Sequence, residues 1–266
     1  TYSEPFTTDK DTIYISFVTP PSALNISIEH AVTYPVSSIP TIKPNYVAGK
    51  YEETNTDASF AYKGINLDFA RTYDNANNKW FFAVNSSIEH NSAVNRLTAV
   101  FPNNSKHVFL PKTAYSYYDP YSDYIIDVTR FSDGSISSYS IKFDDIVYQY
   151  NSQGQLCSLS NRNGDKINIT HSDAWIIAAD EAGREYVYRY DENKNIVSLT
   201  DPAGGVIRYT YNADNKLISV VDQAGVYLDT YSYDDSGRVS KNNDVTIKYN
   251  ALNRITSRVY DSGAYV

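Results

Sequence analysis

From Tyr150 onward the chain repeats itself, and a repeat of this length leaves few folds open. Segments opening on an aromatic–Asx pair stack beneath one another: YNSQGQLCSLSNRNGDKINIT from Tyr150, YDENKNIVSLTDPAGGVIRYT from Tyr190, YNADNKLISVVDQAGVYLDTYS from Tyr211, YDDSGRVSKNNDVTIK from Tyr233 and YNALNRITSRVY from Tyr249. A degenerate copy, SDAWIIAADEAGREYVYR, lies between the first two. Tyr150 to Tyr190 is 40 residues, or two units of 20, and the following steps are 21, 22 and 16.

Each unit reads as a β-hairpin. The Tyr-Asx pair, two further residues and a Gly or Asn make a turn, because Asx oxygens bond nearby backbone and Gly or Asn accepts a positive φ. A short alternating strand follows, such as Asn195-Ile196-Val197-Ser198-Leu199, then a second turn (Asp201-Pro202-Ala203-Gly204, or Asp222-Gln223-Ala224-Gly225). The returning strand ends on tyrosines two apart: Tyr186, Tyr188 and Tyr190; Tyr209 and Tyr211; Tyr231 and Tyr233. Residues two apart in a strand share a face, so each hairpin presents a tyrosine ladder, read here as cross-strand packing that sets the register. One hairpin is marginal alone, so consecutive hairpins pair into one sheet. The turn glycines Gly164, Gly183, Gly204, Gly225 and Gly237 are therefore the positions on which the fold should depend most.

The rest of the chain divides by its punctuation. Residues 1–44 hold six of the ten prolines and read as a Pro-rich arm or the end of a preceding β domain, with strands over Ile13–Val18 and Ala23–Val32. Residues 45–145 are strand-rich with aromatic clusters, and Asp133-Gly134 between two alternating runs (Ile126–Phe131 and Ser135–Phe143) marks a hairpin. Residues 146–266 carry the repeats. No stretch sustains helical apolar spacing, so the chain is expected to be all-β.

At this point the residues carry a family. YDENKNIVSLTDPAGGVIRYTYN and YDDSGRVS resemble the YD repeat of Rhs proteins, wall-associated YD-repeat proteins, insecticidal toxin-complex shells and teneurins. GINLDFARTYDN, with Phe69, Arg71, Thr72 and Tyr73, is similar to the usual opening of such regions, and Lys79-Trp80-Phe81 stands near the Gly-Trp that follows it, without the Gly. The resemblance covers residues 45 to 266. It implies consecutive antiparallel hairpins joined into a long curved or spiralling sheet, part of a shell that encloses or displays a C-terminal effector such as a toxin. It also implies a secreted or cell-surface setting, with the remainder of the parent shell and that effector as partners. Some members act in surface adhesion, so a glycan- or protein-binding module is the alternative. The self-cleaving segment of toxin-releasing members has no counterpart at Asp119-Pro120 or Asp201-Pro202, so no catalytic residue is carried over.

Composition sharpens what is excluded. The balance of 23 Lys+Arg against 31 Asp+Glu, a net of −8, argues against nucleic acid and anionic membrane surfaces as partners. The apolar runs are too short to insert into a bilayer as helices. His30, His90, His107 and His171 are scattered without ligand spacing, and the single Cys157 sits in a repeat strand without a cationic neighbour. The carboxylates of Asp144-Asp145, Asp191-Glu192 and Asp234-Asp235 fall at turns, where chain reversal accounts for them. Neither an enzyme, a cofactor nor a metal site is expected. Tyrosine supplies 26 residues, and the irregular cluster Tyr115, Tyr117, Tyr118 and Tyr121 lies outside the repeats, where ring faces would suit surface glycans.

The chain opens at Thr1, contains no Met, and stops within its pattern, which reads as a fragment of a longer protein. A further hairpin is expected to pair with the edge formed by residues 249–266. Amide exchange from Thr246 to Val259 should then be fast in this chain and slow in one lengthened by several repeats. Equal strong protection in both would mean that this edge needs no neighbour.

Overall fold

A computed structural model describes residues 6–7, 12–13, 51–74 and 78–263. Within residues 1–40, Phe6–Thr7 (β1) pairs antiparallel with Thr12–Ile13 (β2); the strand residues expected at 14–18 and 23–32 lie outside the described residues. In the second unit, Glu52–Tyr62 (β3), Ile65–Asp74 (β4) and Lys79–Phe82 (β5) form a three-stranded antiparallel sheet. Lys63 and Gly64 both take positive φ between β3 and β4, as a two-residue hairpin whose twist matches its strands requires.

After a 3-10 turn at Ala83–Asn85 the chain makes one long strip. Its opening strands are Ser87–Asn91 (β6), Arg96–Val100 (β7), Lys106–Thr113 (β8), Ser116–Tyr118 (β9), Ile125–Arg130 (β10) and Ile136–Phe143 (β11). They continue as Ile146–Asn151 (β12), Leu156–Ser160 (β13), Lys166–His171 (β14), Trp175–Asp180 (β15), Glu185–Tyr190 (β16) and Ile196–Thr200 (β17). The last are Val206–Tyr211 (β18), Leu217–Val221 (β19), Tyr227–Tyr233 (β20), Val239–Asn242 (β21), Val245–Tyr249 (β22) and Ile255–Tyr260 (β23). Each pairs antiparallel with the next, so the expected train of hairpins is what forms, as 18 strands in chain order. Among the described residues no ladder joins β23 to β6, and the strip is not closed into a barrel. Asp133-Gly134 turns β10 into β11 as the sequence requires, and the sheet runs without a break through residue 146, where the periodicity begins.

One turn design serves both ends of the repeat hairpins. At Asn151, Asn161, Asp180, Asp191, Asp201, Asn212, Asp234 and Asn250 the side-chain oxygen accepts the N–H of residues i+2 and i+4. The residue at i+3 is left-handed in each: Gly154, Gly164, Gly183, Lys194, Gly204, Asn215, Gly237 and Asn253. The two turns read from sequence as different are thus the same device. At Asp191 the left-handed residue is Lys194, where a Gly or Asn was expected.

At three of the five Tyr-Asx pairs the tyrosine clasps the mouth of its hairpin, whereas Tyr150 bonds Ser86 and Tyr190 bonds Asn85. Tyr211, the last residue of β18, donates its hydroxyl to the carbonyl of Ile196, the first of β17, at 2.8 Å. Tyr233 does the same to Leu217 at 2.5 Å, and Tyr249 to Val239 at 2.7 Å. In the first unit the position is held by His171, whose Nε2 lies 2.7 Å from the Leu156 carbonyl. A phenol suits the position because its ring is partly buried on the sheet while its hydroxyl satisfies a strand-end carbonyl.

The strip also touches itself early. Ile88 N–H donates to the Gly154 carbonyl at 2.8 Å, and Ser87 bridges to Gln155, so β6 lies against the β12–β13 turn. A Cβ on Gly154 would fall 1.7 Å from the Ile88 carbonyl oxygen, and the residue has φ 76°. At Gly225, φ is 84° with open space around the position.

Three losses separate these roles in urea titrations. Gly225→Val should cost about 1–3 kcal/mol from backbone strain alone, and Gly154→Ala more, because the backbone of β6 must also move. Tyr233→Phe should cost about 1 kcal/mol, the worth of one net hydrogen bond. A neutral Gly154→Ala would mean that β6 does not rest on that turn.

Candidate functional site

The ladder tyrosines face the three-stranded sheet. β4 alternates so that Phe69, Arg71 and Tyr73 all point inward and are buried. Phe69 stacks on Tyr186 with centroids 4.7 Å apart, Phe82 meets Tyr188 and Tyr209 edge-on at 5.8 and 5.4 Å, and Trp80 lies 4.7 Å from Tyr231. Cross-strand contact within the ladder is looser, with Tyr188 and Tyr209 at 6.3 Å. The rings therefore form the floor under a covering sheet, in addition to any role in register.

At the centre of that contact sits Arg71, 0% exposed. Its Nε donates to both oxygens of Asp57 at 3.1 Å, Nη1 to the Tyr231 hydroxyl at 2.6 Å, and Nη2 to Asp229 Oδ2. The guanidinium also lies over the Trp80 ring at 5.3 Å. Tyr209 donates to Asp57 Oδ2 at 2.8 Å. Beside this, Glu53 accepts from Tyr51, from Asn242 at 2.8 Å, from Asn55 at 2.5 Å and from Tyr231 at 3.1 Å. Strands β3 and β4 are thereby tied to β18, β20 and β21.

Two carboxylates, Asp57 and Asp229, share one guanidinium, and Glu53 joins them through the Tyr231 hydroxyl. Burial pushes the carboxyls of Glu53 and Asp57 above their ordinary range, against the hydrogen bonds of Tyr51 and Asn55 on the first and the charge of Arg71 on the second. Burial works against the Arg71 charge as well, but Tyr231, Asp57 and Asp229 outweigh it and its pKa is raised. Buried pairs of this kind specify an arrangement more than they add stability, and they are costly to break from one side. The sequence pointed to Arg71 only as part of an opening motif, and did not single out Glu53, Asp57, Asp229 or Asn242. A usable signal existed: Asp229 stands mid-strand in YLDTYS, away from any turn, and Arg71 alternates with two aromatics.

The tyrosine cluster outside the repeats divides. Tyr121 is 95% exposed, Tyr115 64% and Tyr118 38%, but Tyr117 is buried, with its hydroxyl donating to Asn95 at 2.7 Å. Strand alternation in β9 is the reason, since Tyr117 and Tyr118 must face opposite ways. The four do not form one surface. The five turn glycines, Gly164, Gly183, Gly204, Gly225 and Gly237, all adopt positive φ.

One histidine has a geometry worth weighing. His107 Nδ1 lies 2.7 Å from Asp119 Oδ2, and Nε2 lies 3.2 Å from Ser105 Oγ. Asp119 is buried and accepts from Ser122 Oγ at 2.7 Å and Tyr121 N–H at 2.9 Å; these bonds and His107 outweigh burial and lower its pKa. The order is that of a nucleophile, base and orienting acid. However, the Ser105 hydroxyl is nearer Asn103 Oδ1, at 2.7 Å, and Ser135 makes the same turn contact with Asp133 at 2.6 Å without a histidine present. Turn capping thus accounts for Ser105. His90 and His171 have separate partners, His30 lies outside the described residues, and among the described residues no group of three or more His, Cys, Asp or Glu could hold a metal. Among them, too, no helix is long and apolar enough to cross a membrane.

No family model matches the chain, and no curated protein matches it. Among solved structures it is similar to the crystal structure of TcdB2-TccC3-Cdc42, at 12% identity and a TM-score of 0.38, over 79% of this chain and 12% of that one. A Tc holotoxin pore of Photorhabdus luminescens with a TccC3 variant stands at 11% and 0.38, over 80% of this chain and 12% of that one. The crystal structure of TcdB2-TccC3-TEV stands at 10% and 0.29, over 85% and 14%. The chain thus spans 12% to 14% of the length of these chains.

Replacing Arg71 by Met should destabilise the fold by about 3–5 kcal/mol, since acids are left buried without their cation. The pH dependence has a sign as well. Glu53 and Asp57 hold protons more tightly folded than unfolded, so their contribution is greatest below the unfolded value of about 4 and falls as pH rises through the raised folded pKa. Asp133, Asp145, Asp165 and Asp173 are shifted the other way, so the measurement is a difference. Between pH 4 and 8, unfolding midpoints of the parent chain and of Glu53→Ala should converge as pH rises. Parallel curves would show that Glu53 is not held protonated.

Proposed function

We propose that this chain is a non-catalytic wall segment of a large secreted or cell-surface protein of the Rhs, or YD-repeat, kind. Its strip of sheet would form part of a shell that encloses or displays a C-terminal effector such as a toxin. The observation that carries the reading is the strip itself. Strands β6 to β23 add in chain order, the repeat turns share one design, and the tyrosine clasp recurs at β18, β20 and β22, so the sheet extends by repetition of a unit of about 21 residues. A wall built this way lengthens without new packing rules, which suits enclosure. The resemblance of YDENKNIVSLTDPAGGVIRYTYN to the repeat of shell-forming proteins agrees with it. The role proposed is structural because the buried charged groups Arg71, Glu53 and Asp57 are engaged in one network with Asp229, Tyr209 and Tyr231.

A second reading, surface adhesion through glycans, is favoured by the exposure of Tyr115, Tyr118 and Tyr121. One pair of measurements separates the two. Electron microscopy of the full-length protein should show a hollow particle whose C-terminal region resists protease until the particle is denatured. A solid or rod-like particle with that region freely cleaved would sink the shell reading. Glycan-array binding lost in Tyr121→Ala would favour adhesion.

A further inference from the structure

Where the small sheet meets the rim of the strip, a groove of about 320 Å³ runs along β5. Its floor carries the partly buried rings of Trp80, Tyr211 and Tyr233, and its margins carry Lys79, Lys194 and Lys216. Two features of this place bear on what it can hold. β5 is an edge strand: among the described residues it has a ladder to β4 and none on its other side. Alternate residues of such a strand turn N–H and C=O outward, ready to pair with an incoming backbone. The second feature is charge. Three lysines and one aspartate, Asp214, line the groove in a chain whose net charge is −8, and Asp173 outside the lining pairs with Lys194.

The lysines are placed, not loose. Lys216 Nζ donates to the Asn78 carbonyl at 3.2 Å and lies 5.3 Å over the Tyr233 ring. Lys194 is the left-handed residue of its turn and reaches Asp173 at 2.9 Å on an exposed face. Both stand on adjacent Tyr-Asx turns, which are linked by the Asn195–Asn215 side-chain bond at 3.0 Å. The turn design that builds the strip therefore also spaces cations along this margin.

We propose that this groove docks an extended, acidic segment of a separate polypeptide, added as a strand on the free edge of β5. Its backbone pairs with β5, acidic side chains on one side meet Lys79 and Lys194, and apolar ones on the other rest on Trp80 and Tyr233. A second copy of this chain is a poorer occupant, because two molecules at −8 repel.

The test uses the chain as it is, with a fluorescein-labelled peptide alternating glutamate and valine, read by anisotropy. Three controls accompany it: the lysine–valine counterpart, a version N-methylated at alternate residues, and the doubly substituted Lys79→Glu, Lys194→Glu protein, whose fold is checked by thermal melting. The acidic peptide should bind, and weaken about ten-fold on raising salt from 0.01 to 0.15 M. The charge-reversed and N-methylated peptides, and the double variant, should each raise Kd by at least about ten-fold. Absence of binding, equal affinity for both charge patterns, or undiminished binding of the N-methylated peptide would overturn the proposal. So would self-association of the parent chain, in sedimentation, that the double variant abolishes.

Discussion

In three of the repeats the tyrosine that ends the returning strand holds two positions at once. Its ring lies on the packed face of the strip, and its hydroxyl satisfies the first carbonyl of the hairpin it closes, as at Tyr211, Tyr233 and Tyr249. Phenylalanine would supply the ring and orphan the carbonyl; serine would supply the hydroxyl and lose the floor. His171 shows that the constraint is a donor at a given height above the sheet, since an imidazole meets it in the unit that departs most from the pattern. With the mouth clasped by tyrosine and both ends turned by Asx, a hairpin has one register. A slip of one residue would put the floor into solvent.

That floor then has to be covered. A single sheet buries one face only against another layer, and here the layer is β3 to β5. Apolar contact alone would allow the two layers to slide. Arg71 removes that freedom, because its fork reaches Asp57, Asp229 and Tyr231 in one geometry only. The residues joined are far apart in the chain, 158 positions between Arg71 and Asp229, so the cover cannot be latched before β20 exists. The raised carboxyls of Glu53 and Asp57 make the junction sensitive to protons, in the direction that favours mild acid.

Much of the repeat half was legible in the sequence, though not the left-handed Lys194 or the tyrosine clasp. Hairpins, turn glycines at positive φ and the Asp133-Gly134 reversal all follow from hydrogen bonds spanning four residues or fewer, which a sequence carries locally. Legibility failed where the deciding contact was remote. Tyr117 looked like its neighbours Tyr115, Tyr118 and Tyr121, and is buried because of where β9 lies in the sheet. His107 looked solitary, and acquires Asp119 only when β8 and the loop after β9 come together. Asp57 and Asp229 looked like two more acids in an acidic chain.

By itself, then, the sequence determined the strand, the turn and the order of addition: period-two alternation and Asx–Gly spacing act within one hairpin and need no partner. Only the tertiary structure decided what the tyrosine face packs against, which acids surround Arg71, and that β5 keeps an open edge beside Lys79, Lys194 and Lys216. The physical reason is the curl of the strip. The local pattern repeats nearly unchanged from unit to unit, but the cover touches each unit at a different place, so similar residues acquire different neighbours.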